Sequence, residues 1–130
     1  MRARQSTVLV VEDDETVAEI YRLALERAGY EVVVARDGIE CLEKAAASRP
    51  DLIFLDIRMP RMDGIEALRL LAERSDLETM PVVMLSNFDD PALVKAARDL
   101  GAKEYLVKAG LNPAELPNVV SRWLGRPVDR

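Results

Sequence analysis

Five short apolar runs divide the chain: Thr7-Val8-Leu9-Val10-Val11, Glu31-Val32-Val33-Val34-Ala35, Leu52-Ile53-Phe54-Leu55, Val82-Val83-Met84-Leu85 and Glu104-Tyr105-Leu106-Val107. Each is rich in branched side chains and nearly continuous rather than alternating, the pattern of strands buried on both faces. Between the runs the apolar period lengthens. Val17, Ile20, Tyr21, Ala24, Leu25 and Ala28 recur with helical spacing and form one stripe of a helix. Ile39, Leu42, Ala45 and Ala46 predict a second helix, Ile65, Leu68 and Ala72 a third, and Leu93, Val94, Ala97 and Leu100 a fourth. Strands that alternate with helices in this way are parallel and joined by right-handed crossovers.

Turn chemistry marks the same boundaries. Gly29 follows the first helix, Asp63-Gly64 opens the third, Pro81 precedes the fourth strand and Gly101 ends the fourth helix. The last segment is less regular, because a helix begun at Pro113 would carry Pro117 inside it, where a missing N–H breaks the ladder. We expect a short turn over 113–116 and a shortened helix from about Pro117 to Leu124, with Val120, Trp123 and Leu124 packed inward. A single domain over 1–130 follows, with its core at about 7–124 and a tail at 125–130.

Composition narrows the chemistry. The chain has 130 residues, 49% of them hydrophobic and 32% charged, with a net charge of −5, no histidine and one cysteine. A domain of this size holds one core without a metal or disulfide staple. Without histidine there is no Ser-His or Cys-His catalysis, no imidazole metal ligand and no phosphohistidine step within the chain. Cys41 alone makes neither an internal disulfide nor a zinc cluster; it reads as a small apolar helix residue, and a reducing cytoplasm fits. No stretch approaches ~18 consecutive apolar residues, so neither a membrane span nor a membrane partner is expected. The negative balance disfavours nucleic acid, and Arg122, Arg126 and Arg130 read as solvated tail charges.

In an open parallel sheet, ligands bind beyond the carboxyl ends of the strands. Those ends carry Glu12-Asp13-Asp14, Asp56, Ser86-Asn87 and Lys108 on the first, third, fourth and fifth strands. The second ends in Ala35-Arg36, as an edge strand would. Each polar residue has a plain structural use as well: Asp13 and Asp14 suit the first turn of a helix, Asp56 the turn through Arg58-Met59-Pro60, Ser86 a turn cap and Lys108 the surface. What favours chemistry is that all of them fall on one rim. Clustered carboxylates repel one another unless a cation intervenes, and an oxygen-only donor set suits magnesium.

With those residues in place, the chain resembles the receiver domain of bacterial two-component response regulators, the CheY-like family, over residues 7–124. The resemblance is carried by Val10-Val11-Glu12-Asp13-Asp14, Leu55-Asp56-Ile57-Arg58-Met59-Pro60-Arg61-Met62-Asp63-Gly64, Met84-Leu85-Ser86 and Gly101-Ala102-Lys103-Glu104-Tyr105-Leu106-Val107-Lys108. It implies a flavodoxin-like α/β fold, a doubly wound five-stranded parallel sheet in order 2-1-3-4-5 with helices on both faces. It implies that Asp56 is phosphorylated and that Asp13, Asp14 and Asp56, with the Arg58 backbone carbonyl, hold Mg2+. By the same resemblance Ser86, Lys108 and the Asn87 backbone contact the phosphoryl group, and Ser86 and Tyr105 form the switch. The implied donor is a phosphohistidine on a sensor histidine kinase or histidine phosphotransfer protein, which suits a chain without histidine. Output would pass to a downstream protein through the last helix-strand-helix face.

The expectation is a cytoplasmic phosphoacceptor signalling domain rather than an enzyme, stand-alone, monomeric or weakly dimeric. The chain has no Gly-x-x-x-x-Gly-Lys cradle for ATP. Other readings are a phosphorylation-independent interaction module, a fragment of a larger regulator or hybrid kinase, and a phosphohydrolase. The last would need an aspartate two residues after the nucleophile, where this chain has Arg58. Two departures from the family pattern matter. Ala109-Gly110 follow Lys108 where proline is usual, so a trans peptide is expected there. Asn87 and Phe88 follow Ser86, and with Arg58 these bulkier groups are expected to obstruct the attacking water and lengthen the acyl phosphate lifetime.

Overall fold

The structure, a computed structural model, describes residues 5–59, 61–74, 78–87 and 89–125. Strands β1 (Thr7–Val11), β2 (Glu31–Ala35), β3 (Leu52–Asp56), β4 (Val82–Ser86) and β5 (Glu104–Val107) form one parallel sheet in the order β2-β1-β3-β4-β5. Helices α1 (Glu15–Arg27), α2 (Gly38–Ser48), α3 (Gly64–Glu73), α4 (Pro91–Leu100) and α5 (Leu116–Leu124) complete the alternation. Every residue of β1, β3 and β4 is buried, while β2 and β5, at the two edges of the sheet, are partly exposed.

Alternation along the strands builds two cores. Leu9, Val11, Ile53, Leu55 and Met84 pack with Cys41, Leu68, Leu71 and Ala97, from α2, α3 and α4. Val8, Val10, Leu52, Phe54 and Leu85 pack with Tyr21, Leu25, Leu116, Val119 and Val120, from α1 and α5. An aspartate starts each of the first four helices. Asp14 accepts from the N–H groups of Thr16 and Val17, Asp37 from Glu40, Asp63 from Glu66 and Asp90 from Ala92. Each such cap contributes about 1 kcal/mol by satisfying a donor the helix cannot.

The structure corrects the helix faces in detail. In α1 the buried residues are Ala18, Tyr21 and Leu25, and Ile20 is 45% exposed. In α2, Ala46 is exposed. A 3-10 turn over Pro113–Glu115 precedes α5, which begins at Leu116, so Pro117 sits in a first turn where a missing N–H leaves no bond unmade. Leu116, Val119 and Val120 turn inward and Leu124 packs at the margin of that core. Trp123, expected inside, is 37% exposed because its position flanks that stripe, and its Nε1 donates to Glu104 Oε1 at 2.7 Å. The Lys108–Ala109 peptide is trans, as expected. Pro60, Phe88, Arg126, Arg130 and the rest of the tail after Gly125 lie outside the described residues.

Side chains of α2 hold two backbone groups at the C-terminal end of the open edge of β2. The Ala35 carbonyl accepts the Glu12 N–H and so faces β1, which turns the Val34 carbonyl outward. Lys44 Nζ donates to that carbonyl at 2.6 Å, and Glu40 Oε1 accepts the Arg36 N–H at 3.0 Å.

Candidate functional site

The expected rim forms where β1, β3, β4 and β5 end. Asp56 closes β3 in register with Leu85 of β4, and Ser86 closes β4 in register with Val107 of β5. The Glu12 N–H bonds the Ala35 carbonyl at 2.9 Å, so the first strand's hydrogen bonding continues past Val11 and carries the Glu12 side chain inward. Glu12, Asp56 and Ser86 are 2%, 4% and 1% exposed. Together with Asp13, Arg58, Asn87 and Lys108 from the neighbouring loops, Glu12 and Asp56 line an open cleft of about 480 Å³.

Lys108 reaches across this cleft. Its Nζ donates to Asp56 Oδ2 at 3.0 Å and to Glu12 Oε1, with only 12% of the lysine side chain exposed. Burial pushes the Asp56 carboxyl up from its ordinary value, the Lys108 ammonium opposes that, and the charge of Asp13 adds to it. Burial likewise raises Glu12 against the hydrogen bond from Lys108. At Lys108 burial works against the ammonium, but the two carboxylates outweigh it and its pKa is raised. One ammonium thus faces several carboxylates. Glu12, Asp13 and Asp56 each place an oxygen within 4.8 Å of the others, a hard-oxygen set that fits a divalent cation such as magnesium.

This geometry revises the expected metal residues. Asp13 and Asp56 belong to the carboxylate group, and Asp14 does not: its Oδ1 is taken by the Thr16 and Val17 N–H groups as the cap of α1. Glu12, which lies on the rim but was not among the expected metal residues, completes the group instead. The available signal was strand phase, since Glu12 still belongs to the sheet ladder and Asp14 already belongs to the helix. Tyr105 is half-buried on β5, beside a cavity of about 30 Å³ lined also by Val94 and Ala97, on the α4 side of the sheet rather than in the cleft. Ser86 and Tyr105 occupy adjoining strands, Tyr105 in register with Met84 and Ser86 with Val107.

The segment after Asp56 is held at both ends. The Gly64 N–H donates to the Ile57 carbonyl at 2.8 Å, and a Cβ at Gly64 would lie 2.2 Å from the Asp56 carbonyl oxygen. Only glycine lets α3 approach the backbone of Asp56 so closely. Farther out, Arg61 adopts φ 66°, an uncommon conformation for a residue with a side chain, and its Nε and Nη2 bind Asp37 Oδ2 at 2.8 and 2.7 Å.

The chain is similar to known proteins over most of its length. The response regulator receiver domain family matches residues 8–121. The alkaline phosphatase synthesis transcriptional regulatory protein PhoP of Bacillus subtilis is 39% identical over 119 residues, 92% of this chain and 48% of that protein. Response regulator MprA of Mycobacterium ulcerans is 44% identical over 101 residues, 78% of this chain and 43% of that protein. The chain thus spans less than half the length of these curated relatives. Among solved structures, the chemotaxis response regulator CheY4 of Vibrio cholerae superposes with a TM-score of 0.84 at 34% identity, covering 93% of this chain and 100% of that one. A CheY-like receiver domain protein of Methanospirillum hungatei does so with a TM-score of 0.86 at 26% identity, covering 93% and 94%.

Proposed function

Because the chain belongs to the response regulator receiver domain family, we propose that it accepts a phosphoryl group on Asp56 and relays a signal by the change that follows. The observation that carries this reading is the buried Asp56 carboxylate, held by Lys108 at 3.0 Å in a cleft shared with Glu12 and Asp13. An Asp56 oxygen attacks phosphorus, the phosphorus–nitrogen bond of a donor phosphohistidine breaks, and its electron pair leaves with the imidazole. The donor is a histidine of a partner, a sensor kinase or phosphotransfer protein, since this chain contains none. A carboxylate is a weak nucleophile, so rate comes from alignment and from positive charge and donors around the transferring oxygens. Lys108 supplies the charge and the Ser86 hydroxyl a donor. Glu12, Asp13 and Asp56, with the Arg58 backbone carbonyl, would hold a magnesium ion, whose chemistry when bound is to neutralise those oxygens.

The domain catalyses only its own phosphorylation and dephosphorylation. New charge of about −1.5 to −2 at Asp56 attracts Ser86 on the neighbouring strand end, which pulls the loop after β4 with it and leaves space for Tyr105 to turn inward. Output leaves by α4, β5 and α5. The relatives named as regulators are more than twice as long as their matched regions, so work within a larger regulator stands beside stand-alone signalling; the size of the native gene product separates the two.

The test is intact-mass analysis with acetyl phosphate and Mg2+. We expect the wild type to gain one phosphoryl group and Asp56→Asn to gain none. A gain that survives the substitution would put the group elsewhere, and no gain in the wild type would leave an interaction module with an inert site.

A further inference from the structure

Tyr21 lies on the sheet-facing side of α1, 5% exposed, its ring packed among the second core with Leu25. An apolar side chain would fill that space equally well, yet here the core carries a hydroxyl that makes no hydrogen bond among the described residues. A buried donor is costly unless it is partnered, and this one stands at a cleft that a ligand can enter. Side chains on a helix lean toward its N-terminus, and the N-terminus of α1 opens at the rim. Val17 and Tyr21, one turn apart, both line the cleft that also holds Glu12, Asp56 and Lys108. The phenol feels the charges of all three, Lys108 most strongly, and burial raises its pKa, so it keeps its proton.

We propose that the Tyr21 hydroxyl donates a hydrogen bond to an oxygen of the phosphoryl group carried by Asp56, as a phosphoryl-binding residue additional to Ser86 and Lys108. The inference rests on the phosphoacceptor reading above and deepens it. A neutral phenol is a donor that suits an anionic oxygen, whereas the cation set is already made of carboxylates.

Tyr21→Phe removes one oxygen and keeps the ring, so the fold is preserved. The probe is beryllofluoride, a tetrahedral stand-in for the phosphoryl group, titrated calorimetrically in saturating Mg2+, with Mg2+ alone titrated separately. We expect beryllofluoride to bind Tyr21→Phe about tenfold more weakly than wild type, as loss of a hydrogen bond to a charged group predicts. Mg2+ affinity and the thermal midpoint should not fall. Equal beryllofluoride affinity, or a weakening matched by an equal loss in Mg2+ affinity, overturns the assignment. If the wild type itself binds no beryllofluoride, the phosphoacceptor reading fails and this inference falls with it, a result distinct from either of those.

Discussion

Replacing Lys108 by methionine keeps a stem of similar length and deletes the ammonium that holds Asp56 Oδ2 at 3.0 Å and also holds Glu12. The Glu12 and Asp56 side chains are 1% and 6% exposed, so both carboxylates lose their cation in a nearly dry setting. Breaking a buried pair from one side costs about 3–5 kcal/mol. If the acids take up a proton, the cost falls toward the ~1–3 kcal/mol of a poorly partnered polar group. A domain holds about 5–15 kcal/mol in all, so the variant stays folded but weakened. Burial already raises both acids, and removing the ammonium that opposes it raises them further. An acid with a raised folded-state pKa contributes stability that is fully present below its unfolded value and is lost as pH climbs through the folded one. The raised pKa of Lys108 preserves the wild-type pairing until the lysine range, so the penalty in the variant grows between mildly acidic and mildly alkaline solution. Urea unfolding should show a gap of about 1–3 kcal/mol near pH 5, widening to about 3–5 kcal/mol near pH 8. Mg2+ should then stabilise the variant more than the wild type by supplying the missing cation. A gap that ignores pH, or a variant that gains no more than the wild type from Mg2+, would refute the electrostatic account.

Gly64→Ala should destabilise by about 1–3 kcal/mol in thermal melts, because its new Cβ meets backbone rather than a yielding side chain, and should slow phosphorylation by shifting Asp56. Asp14→Ala should cost about 1 kcal/mol of stability with Mg2+ affinity intact, whereas Asp13→Ala should abolish that affinity with little change in stability; calorimetry and urea titration separate the two. Arg58 and Asn87 line the cleft, so Asn87→Ala should shorten the acyl phosphate lifetime measured by loss of the label. Cys41 is fully buried and its thiol is pushed up to about 12, so a disulfide reagent should modify it only after urea unfolds the chain.

The strands were legible as short branched-rich apolar runs, and β1, β2 and β5 begin and end where those runs do, although only β1 of these three is buried throughout. Helix faces were less so. Small residues such as Ala18 and Ala46 carry little hydrophobic signal, so tertiary packing rather than periodicity decides which is covered. Trp123 is large and apolar on a hydropathy scale, but its indole N–H needs a partner, and Glu104 at the surface provides one. The rim itself was readable from strand ends. Which of Glu12, Asp13 and Asp14 turn toward Asp56 was not, because three adjacent acids look alike until the sheet's last hydrogen bond and the helix cap divide them. Tyr21 was read as core, correctly for its ring; spacing alone says nothing about where a phenol's oxygen ends up.

A strand arriving from another molecule would have to capture the Val34 carbonyl and the Arg36 N–H to extend the sheet past β2, and Lys44 and Glu40 already hold them. At those two points the border offers an incoming strand no free backbone partner. Truncating Lys44 to alanine would release the Val34 carbonyl and leave Glu40 as the remaining hold on that border.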